Sequence, residues 1–177
     1  MSRLNDHLTN SKLLNPFQSA YRKLHSTETV LLSLHDHLID AIGSQQVSCL
    51  CLLDLSAAFD TIDHTILLER LSLWFGINGT ALDWFRSYLS DRTYTVNCSG
   101  LSSDPHHYPY GVPQGSVLGP LLFTLYTTPL SSLISSQSLS HHLYADDTQL
   151  FISFQPVKFH DNITFALRFN VNHSVTL

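Results

Sequence analysis

Hydrophobic residues recur along the chain with two different periods, and each period predicts a different kind of element. Residues 26–29 read Ser-Thr-Glu-Thr, a typical helix start, and the apolar positions after it recur at helical spacing until Gly43. The predicted inward face consists of Val30, Leu31, Leu34, Leu38, Ile39 and Ile42. The next stretch, QVSCLCLLDL, is almost continuously apolar, which predicts a buried central strand ending at Asp54.

The middle of the chain predicts two helices, then two strands, then a third helix. Asp60 or Asp63 can cap the first helix, and the second runs from about Thr80 to Leu89. The stretch RTYTVNC alternates as a strand does, and residues 107–110 are a candidate partner strand. The stretch GVPQGSVLGP is a glycine- and proline-rich loop, and the apolar residues after it predict a helix through Leu121, Leu122, Leu125 and Tyr126.

Residues 141–154, HHLYADDTQLFISF, alternate on both sides of two adjacent acids, Asp146 and Asp147. This pattern predicts a hairpin with two carboxylates at its tip. Past Phe154 the sequence has no clear period. The order of elements predicts an α+β fold, an antiparallel sheet with helices on one face. Taken alone, two adjacent acids in a turn are best interpreted as solvent-exposed side chains. A metal-binding site is the alternative interpretation.

Composition limits the classes of protein. With 177 residues and 44% hydrophobic residues, the chain can bury the core of one domain. Only 13% of residues are charged and the net charge is −5, which excludes a disordered chain and does not favour a broad phosphate-binding surface. The three cysteines lack metal-ligand spacing, and the N-terminus lacks an apolar signal core, so we expect a reduced intracellular protein that is not secreted. The apolar run over residues 117–134 contains two prolines and predicts a buried helix, not a membrane span.

A charge at the end of a buried strand is costly unless it is solvated, paired or bound to a metal, and Asp54 is predicted to occupy such a position. If the hairpin pairs beside that strand, Asp54 and Asp146 can face each other. Two carboxylates on a sheet rim suit Mg²⁺, which prefers oxygen ligands and keeps several waters. Paired Mg²⁺ ions can stabilise the attacking and the leaving oxygen of a phosphoryl transfer.

Four stretches in order carry a family resemblance: FQSAYRKLHSTETVLL, then LDLSAAFDTIDH at 53–64, YGVPQGSVLGPLLF at 110–123 and YADD at 144–147. They resemble motifs of reverse transcriptases, and their residues are similar to those of the non-LTR (LINE-type) retrotransposon branch. The resemblance implies a right-hand polymerase palm with part of the fingers over residues 1–154, truncated at both ends and without a thumb. Residues 155–177 would be a divergent tail.

The resemblance implies catalytic roles for three carboxylates. Asp54 resembles the first metal-binding aspartate, Asp146 the direct second ligand, and Asp147 a more supporting member of the pair. Leu55 would offer its backbone carbonyl to the second metal. The implied cofactor is Mg²⁺, as two ions, with Mn²⁺ as a substitute.

The resemblance also implies nucleotide-binding residues, namely Ala57, Ala58, Phe59, Gln114, Gly115, Arg22 and Lys23. The two alanines would let their N–H groups approach the triphosphate, which the two basic residues would hold. The ring of Phe59 would leave no room for a ribose hydroxyl. Gln114 and Gly115 would pack beside the nucleotide and template base. Without the resemblance, core packing is the first interpretation of Phe59, and a plain turn that of Gln114 and Gly115.

The implied function is that of an RNA-directed DNA polymerase, which adds deoxynucleotides to a primer 3′-OH by two-metal phosphoryl transfer. Its partners would be an RNA template, a DNA primer and dNTPs, with no membrane, in the nucleus or cytoplasm. Endonuclease and thumb regions of a parent polyprotein would be missing. One alternative is an inactive retrotransposon remnant acting at most as a folded module that binds nucleic acid or nucleotide. A second alternative is a palm-like nucleotidyl cyclase, although cyclisation would give Phe59 and Gln114 no role.

Overall fold

The computed structural model describes residues 2–158 and combines helices with antiparallel sheets. The helices are α1 (Ser2–Asn10), α2 (Thr27–Gly43), α3 (His64–Leu73), α4 (Thr80–Leu89) and α5 (Gly119–Ser136). The strands are β1 (Val47–Leu53), β2 (Thr93–Tyr94), β3 (Asn97–Cys98), β4 (Leu101–Ser102), β5 (His106–His107), β6 (Ser140–Tyr144) and β7 (Asp147–Phe154). From residue 159 onward, the predicted tail lies outside the described residues.

The described chain forms two compact units. Residues 2–14 and 57–126 form the first, which we call the helical unit, and residues 15–56 and 127–158 form the second, the sheet unit. The helical unit contains α1, α3, α4 and the short strands β2 to β5, and the sheet unit contains α2, β1, β6 and β7. Residues 119–126 of α5 belong to the helical unit and residues 127–136 to the sheet unit.

Capping side chains determine where two of the predicted helices begin. Ser26 accepts a hydrogen bond from the Thr29 backbone, and the Thr29 side chain accepts one from the Ser26 backbone, which confirms the predicted start of α2. Asp63 caps α3 by accepting hydrogen bonds from the backbone N–H groups of Thr65 and Ile66, at 2.7 and 3.0 Å. Of the two aspartates proposed as caps, the structure therefore selects Asp63.

The sheet unit is built on a three-stranded antiparallel sheet with the order β1-β7-β6. One face packs on α5, in a cluster formed by Ile134, Leu139, Leu150, Cys51, Leu53, Leu130 and Ile152. On the other face, the His37 ring of α2 lies 4.6 Å from the Phe151 ring, and His37 Nε2 lies 3.0 Å from Ser153 Oγ. Because alternate residues of β7 point to opposite faces, helices cover both faces, and the prediction of helices on one face is wrong.

The apolar pattern predicted too much burial in two elements. Strand β1 lies at an edge of the sheet instead of its centre, and Leu50 and Leu52 are 40% and 68% exposed. In α2, Val30 is buried and Leu34 and Leu38 are half-buried as predicted, but Leu31, Ile39 and Ile42 of the predicted face are exposed, and Ala41 is buried instead. An apolar run shows that a segment can be buried, but contacts with distant segments determine which side chains are covered.

Local turns divide one predicted strand into two. The stretch RTYTVNC separates into β2, which pairs with β5, and β3, which pairs with β4 across Ser99 and Gly100. Both turn residues have positive φ, 50° and 81°, so the chain reverses directly after the predicted strand.

Helix α5 runs to Ser136, and none of the helices within residues 2–158 is long and apolar enough to cross a membrane.

Candidate metal-binding and nucleotide-binding residues

The end of β1 brings Asp54 beside the start of β7. The last paired residues of these strands are Leu53 and Thr148. Continuing the antiparallel register by one residue brings Asp54 opposite Asp147. Side chains alternate between the faces of a sheet, so both carboxylates project from the face opposite to Leu53 and Thr148. Both aspartates are exposed, and two carboxylates from separate strands therefore share one open end of the sheet.

The paired register ends at Leu53 and Thr148, one residue short of Asp54 and Asp147, and the prediction that Asp54 and Asp146 face each other stays a prediction. Asp146 lies one residue from Asp147, in the turn between β6 and β7, and is half-buried. The division of roles between a direct and a supporting carboxylate stays a prediction.

The turn itself consists of Ala145 and Asp146, because Tyr144 pairs with Asp147. Ala145 has φ of 56°, in the left-handed region. For a residue with a Cβ, that conformation costs about 1–2 kcal/mol. Such a residue persists where its surroundings hold it in place, so the contacts of Ala145 determine how well Asp146 is positioned.

The side chain of Gln18 holds this turn at both polar groups of Ala145. Gln18 Oε1 accepts a hydrogen bond from Ala145 N at 3.0 Å, and Gln18 Nε2 donates one to Ala145 O at 3.1 Å. The backbone around Gln18 runs beside β6, where Leu143 N donates to Phe17 O at 2.8 Å and Ser19 N donates to Leu143 O at 3.0 Å. The segment around Gln18 thus extends the sheet along the strand that leads into the turn.

The two basic residues predicted to hold a triphosphate follow in the same segment. Arg22 is half-buried and donates from Nη1 to Asn15 O at 3.3 Å, while Lys23 is exposed. Partial burial, followed by the charge of Asp146, raises the pKa of the preceding residue, Tyr21. The phenol of Tyr21 therefore stays protonated at neutral pH within electrostatic range of Asp146.

The oxygen donors of the hairpin end fit a hard divalent cation. Within residues 2–158, no group of three or more His, Cys, Asp or Glu side chains is arranged to hold a metal ion. Mg²⁺ usually binds proteins through one or two carboxylates, completed by waters and substrate phosphates. Asp54 and Asp147, with Asp146 in the adjoining turn, match this mode of binding. Leu55 is half-buried and directly follows Asp54, so its carbonyl is a further oxygen donor on the same strand end.

In the helical unit, three of the predicted nucleotide-binding residues lie in one turn. Ala57 is exposed with φ of 53°, and its carbonyl accepts a hydrogen bond from Asp60 N at 2.9 Å. Ala58 and Phe59 are half-buried. The Phe59 ring stacks on the buried Phe123 ring, with centroids 4.7 Å apart. The core therefore supports the Phe59 ring without burying it fully.

Gly111 joins this turn to the loop that carries Gln114. Gly111 N donates to Ile62 O at 2.7 Å, and Val112 N donates to Phe59 O at 2.8 Å. Gly111 has φ of +82°, and a Cβ at this position would lie 2.7 Å from Phe59 O. Only glycine allows both this backbone conformation and this approach.

Asp60 links the loop side chains to the turn. Gln114 Nε2 lies 3.4 and 3.5 Å from the two Asp60 carboxylate oxygens, and the Tyr108 hydroxyl donates to Asp60 Oδ1 at 3.3 Å. Burial, followed by the Asp60 charge, raises the pKa of Tyr108. Gly115 is exposed, with φ of +78° and open space around its Cα. Gln114 and the turn containing Phe59 are thus brought together through exposed, long contacts.

Sequence reasoning missed three residues that organise these sites: Gln18, Asp60 and Gly111. Gln18 lies in the stretch FQSAYRKLHSTETVLL, and Gly111 opens the loop GVPQGSVLGP, but neither was assigned a role. Asp60 was proposed only as a helix cap. The Asp60–Tyr108 and Gln18–Ala145 hydrogen bonds join residues that are 48 and 127 positions apart in the sequence. A local sequence pattern does not indicate such contacts.

Relatives of this chain are the polymerases of mobile elements. The chain is 31% identical over 157 residues to a protein of Drosophila melanogaster named "Probable RNA-directed DNA polymerase from transposon BS", covering 86% of this chain and 17% of the relative. It is 29% identical over 144 residues to the "RNA-directed DNA polymerase from mobile element jockey" of the same organism, covering 78% of this chain and 15% of the relative. The chain thus spans less than a fifth of the length of these relatives.

Among solved structures, a chain of the partial Cas6-RT-Cas1–Cas2 complex is 20% identical, with a TM-score of 0.34, over 87% of this chain and 27% of that chain. A family model described as "Reverse transcriptase (RNA-dependent DNA polymerase)" matches residues 1–172, so the match continues past Phe154. The predicted resemblance to reverse transcriptases of non-LTR retrotransposons is confirmed, and the chain belongs to the reverse transcriptase family.

Proposed function

We propose that this chain acts as an RNA-directed DNA polymerase domain of a retroelement, with its catalytic carboxylates at the end of the β6–β7 hairpin. The observation that carries the proposal is the register that brings Asp54 beside Asp147, next to the turn containing Asp146. The sheet unit would then be the polymerase palm, and part of the fingers would lie within residues 1–154.

Asp54, Asp146 and Asp147 would hold two Mg²⁺ ions, with Mn²⁺ as a substitute, and the Leu55 carbonyl would complete the donor set. When bound, the ions supply charge neutralisation at the attacking and leaving oxygens of the phosphoryl transfer. The carboxylates themselves contribute fixed geometry, because strand register determines the spacing of Asp54 and Asp147. Positioning and charge stabilisation are the main sources of rate in phosphoryl transfer.

The remaining predicted residues would bind the incoming nucleotide. The exposed Ala57 and half-buried Ala58 would present backbone N–H groups to the triphosphate, and Arg22 and Lys23 would contribute positive charge. The stacking of Phe59 on Phe123 supports a role in sugar selection, because a ring held from one side can exclude a 2′-hydroxyl on the other. Gln114 and Gly115 would contact the nucleotide and template base, with an RNA template and a DNA primer as the other partners.

A primer-extension assay on an RNA template tests the polymerase proposal. We expect the full chain to incorporate dNTPs in the presence of Mg²⁺ and Asp146→Asn to reduce the rate on the order of 100-fold or more. The matched control is Asp40→Asn, which neutralises an exposed aspartate on α2 and should leave the rate unchanged. Equal incorporation by wild type and Asp146→Asn would refute the proposal. RNA binding that ignores Mg²⁺ and tolerates Asp54→Ala, without incorporation, would support the inactive binding module instead.

Sugar selection offers a second test, independent of the carboxylates. We expect Phe59→Val to raise the ratio of ribonucleotide to deoxyribonucleotide incorporation by about 10–100-fold, because the smaller side chain frees space for a hydroxyl. Phe123→Leu is the control for loss of stacking alone, and should lower overall activity more than it changes the ratio. An unchanged ratio in Phe59→Val would leave core packing as the role of Phe59.

A further inference from the structure

The carboxamide of Gln18 makes three hydrogen bonds although its side chain lies in the interior. Gln18 is only 5% exposed, and its Oε1 accepts hydrogen bonds from Ala145 N and from Ala20 N, both at 3.0 Å. Its Nε2 donates to Ala145 O at 3.1 Å. A buried amide with three hydrogen bonds of this length has one favoured orientation. Two of the three bonds end on the same residue of the turn.

Glutamine has the donor and acceptor pattern that this place requires. The side chain must accept from one backbone group of Ala145 and donate to the other, and a carboxamide does both. A carboxylate at position 18 would keep the acceptor but would set an oxygen against Ala145 O. Methionine has a similar length but would leave both groups of Ala145 without this partner.

The segment that carries Gln18 is itself anchored in the sheet unit. Asn15 is buried, donates from Nδ2 to Ser131 Oγ of α5 at 2.7 Å, and accepts from Phe17 N at 3.0 Å. The Phe17 ring lies 4.3 Å from the ring of His141 in β6. Gln18 therefore reaches the turn from a fixed backbone, which a positioning role requires.

We propose that Gln18 is a positioning residue that fixes the strained Ala145 peptide units and thereby the direction of the Asp146 carboxylate. Ala145 immediately precedes Asp146 and has φ of 56°, so release of its two hydrogen bonds lets the turn leave the left-handed conformation. Such a change would rotate the peptide that leads into Asp146. The consequence for metal binding rests on the proposed function, whereas the hold on the turn does not.

Hydrogen exchange tests the hold on the turn. The Ala145 amide should be protected in the wild type, and Gln18→Met should accelerate its exchange about 10-fold or more. Amides of the β1–β7 ladder should keep their protection, which shows that the variant folds. Gln155→Met, at an exposed glutamine of the same unit, should change neither. Equal Ala145 exchange in wild type and Gln18→Met would overturn the proposal without affecting the polymerase assignment.

A second variant separates the two hydrogen bonds of the turn. In its ionised form, Gln18→Glu keeps an acceptor for Ala145 N but loses the donor to Ala145 O, so the exchange is measured at a pH above the pKa of the new carboxyl. We expect Ala145 exchange to accelerate less than in Gln18→Met. Equal acceleration in the two variants, or none in either, would overturn the assigned bonding pattern.

The effect on the carboxylates is read from Mn²⁺-induced broadening of the Asp146 and Asp147 amide resonances and from primer extension. Gln18→Met should raise the Mn²⁺ concentration for half-maximal broadening about 10-fold. In primer extension it should lower kcat by about 10-fold and change the KM for dNTP by less than about 2-fold. If exchange accelerates but ion affinity and kcat stay unchanged, the positioning role is overturned. If the wild type binds no Mn²⁺ at this turn, the polymerase proposal fails and the metal-related role of Gln18 with it, while the exchange result still stands.

Discussion

The hairpin end of the sheet unit and the loop of the helical unit hold their candidate residues in different ways. In the sheet unit, strand register positions Asp54 and Asp147, and a buried carboxamide holds the adjoining turn with bonds of 3.0–3.1 Å. In the helical unit, Gln114 reaches Asp60 only at 3.4–3.5 Å and on the surface, and the backbone approach at Gly111 holds the loop. In the proposed polymerase, fixed carboxylates would suit charge stabilisation, and adaptable side chains would suit a changing nucleotide and template base.

The close approach at Gly111 should give the largest loss of stability among these contacts. In Gly111→Ala, the new Cβ would lie 2.7–2.8 Å from Phe59 O, the Tyr108 hydroxyl and Asp60 Cα, at a φ that disfavours alanine. We expect the free energy of unfolding to fall by about 2–4 kcal/mol, measured by urea denaturation. The loop and the Phe59 turn would then have to separate.

Gly115→Ala is the matched control for that experiment. Gly115 has a similar φ of +78°, but a Cβ added there would meet no atom within 4 Å, so only the backbone cost of about 1–2 kcal/mol applies. Equal losses in the two variants would mean that the backbone approach does not organise the loop.

Local signals allowed much of this architecture to be predicted. The cap at Ser26, the hairpin around Asp146 and the end of β1 next to Asp54 each follow from a few consecutive residues. The bonds from Gln18 to Ala145 join positions 127 residues apart. No period or turn signal reports such a contact, because it depends on how β6 and the segment around Gln18 pack. The exposure of Leu31, Ile39 and Ile42 in α2 was mispredicted for the same reason, since apolar spacing does not identify the partner of a helix.

A double-mutant cycle tests whether strain in the turn explains the need for Gln18. Gln18→Met should lower the free energy of unfolding by about 1–2 kcal/mol, because two polar groups of Ala145 lose their partners. Ala145→Gly relieves the cost of φ at 56°, so we expect the Gln18→Met loss to shrink by about 0.5–1 kcal/mol in that background. The measurement is chemical denaturation of the four proteins. If the effects of the two substitutions on the free energy of unfolding simply add, strain at Ala145 does not explain the need for Gln18.

Acid should affect the sheet unit before the helical unit. Burial is the main cause that lowers the pKa of His141 and His142 below the ordinary 6.5. As pH falls below about 6.5, these histidines take up protons in the unfolded chain before they do so in the folded chain. The free energy of unfolding is therefore highest above that pH and decreases as the pH falls toward the folded-state pKa values. Hydrogen exchange of β6 amides, corrected for intrinsic rates, should therefore increase between pH 7 and pH 5 more than that of α3 amides.

His141→Phe keeps an aromatic ring beside Phe17 but removes one of these titrating groups. We expect a shallower loss of stability with falling pH, and no such change for His35→Gln, at an exposed position of α2. A pH dependence identical to that of the wild type would assign the acid sensitivity to other groups.

The weakest contact in the comparison is the exposed one between Asp60 and its partners in the helical unit. In Asp60→Asn, the pKa of Tyr108 should fall toward its ordinary 10.0 because the nearby charge is lost, yet it should stay raised by burial. We expect the free energy of unfolding to change by less than about 0.5 kcal/mol, since exposed contacts of this length contribute little. Titration of the Tyr108 ring resonance by NMR and urea denaturation give the two values, with Asp104→Asn as the exposed control. A stability loss above about 1 kcal/mol would show that Asp60 holds the loop as firmly as Gln18 holds the turn, and the contrast between the two regions would disappear.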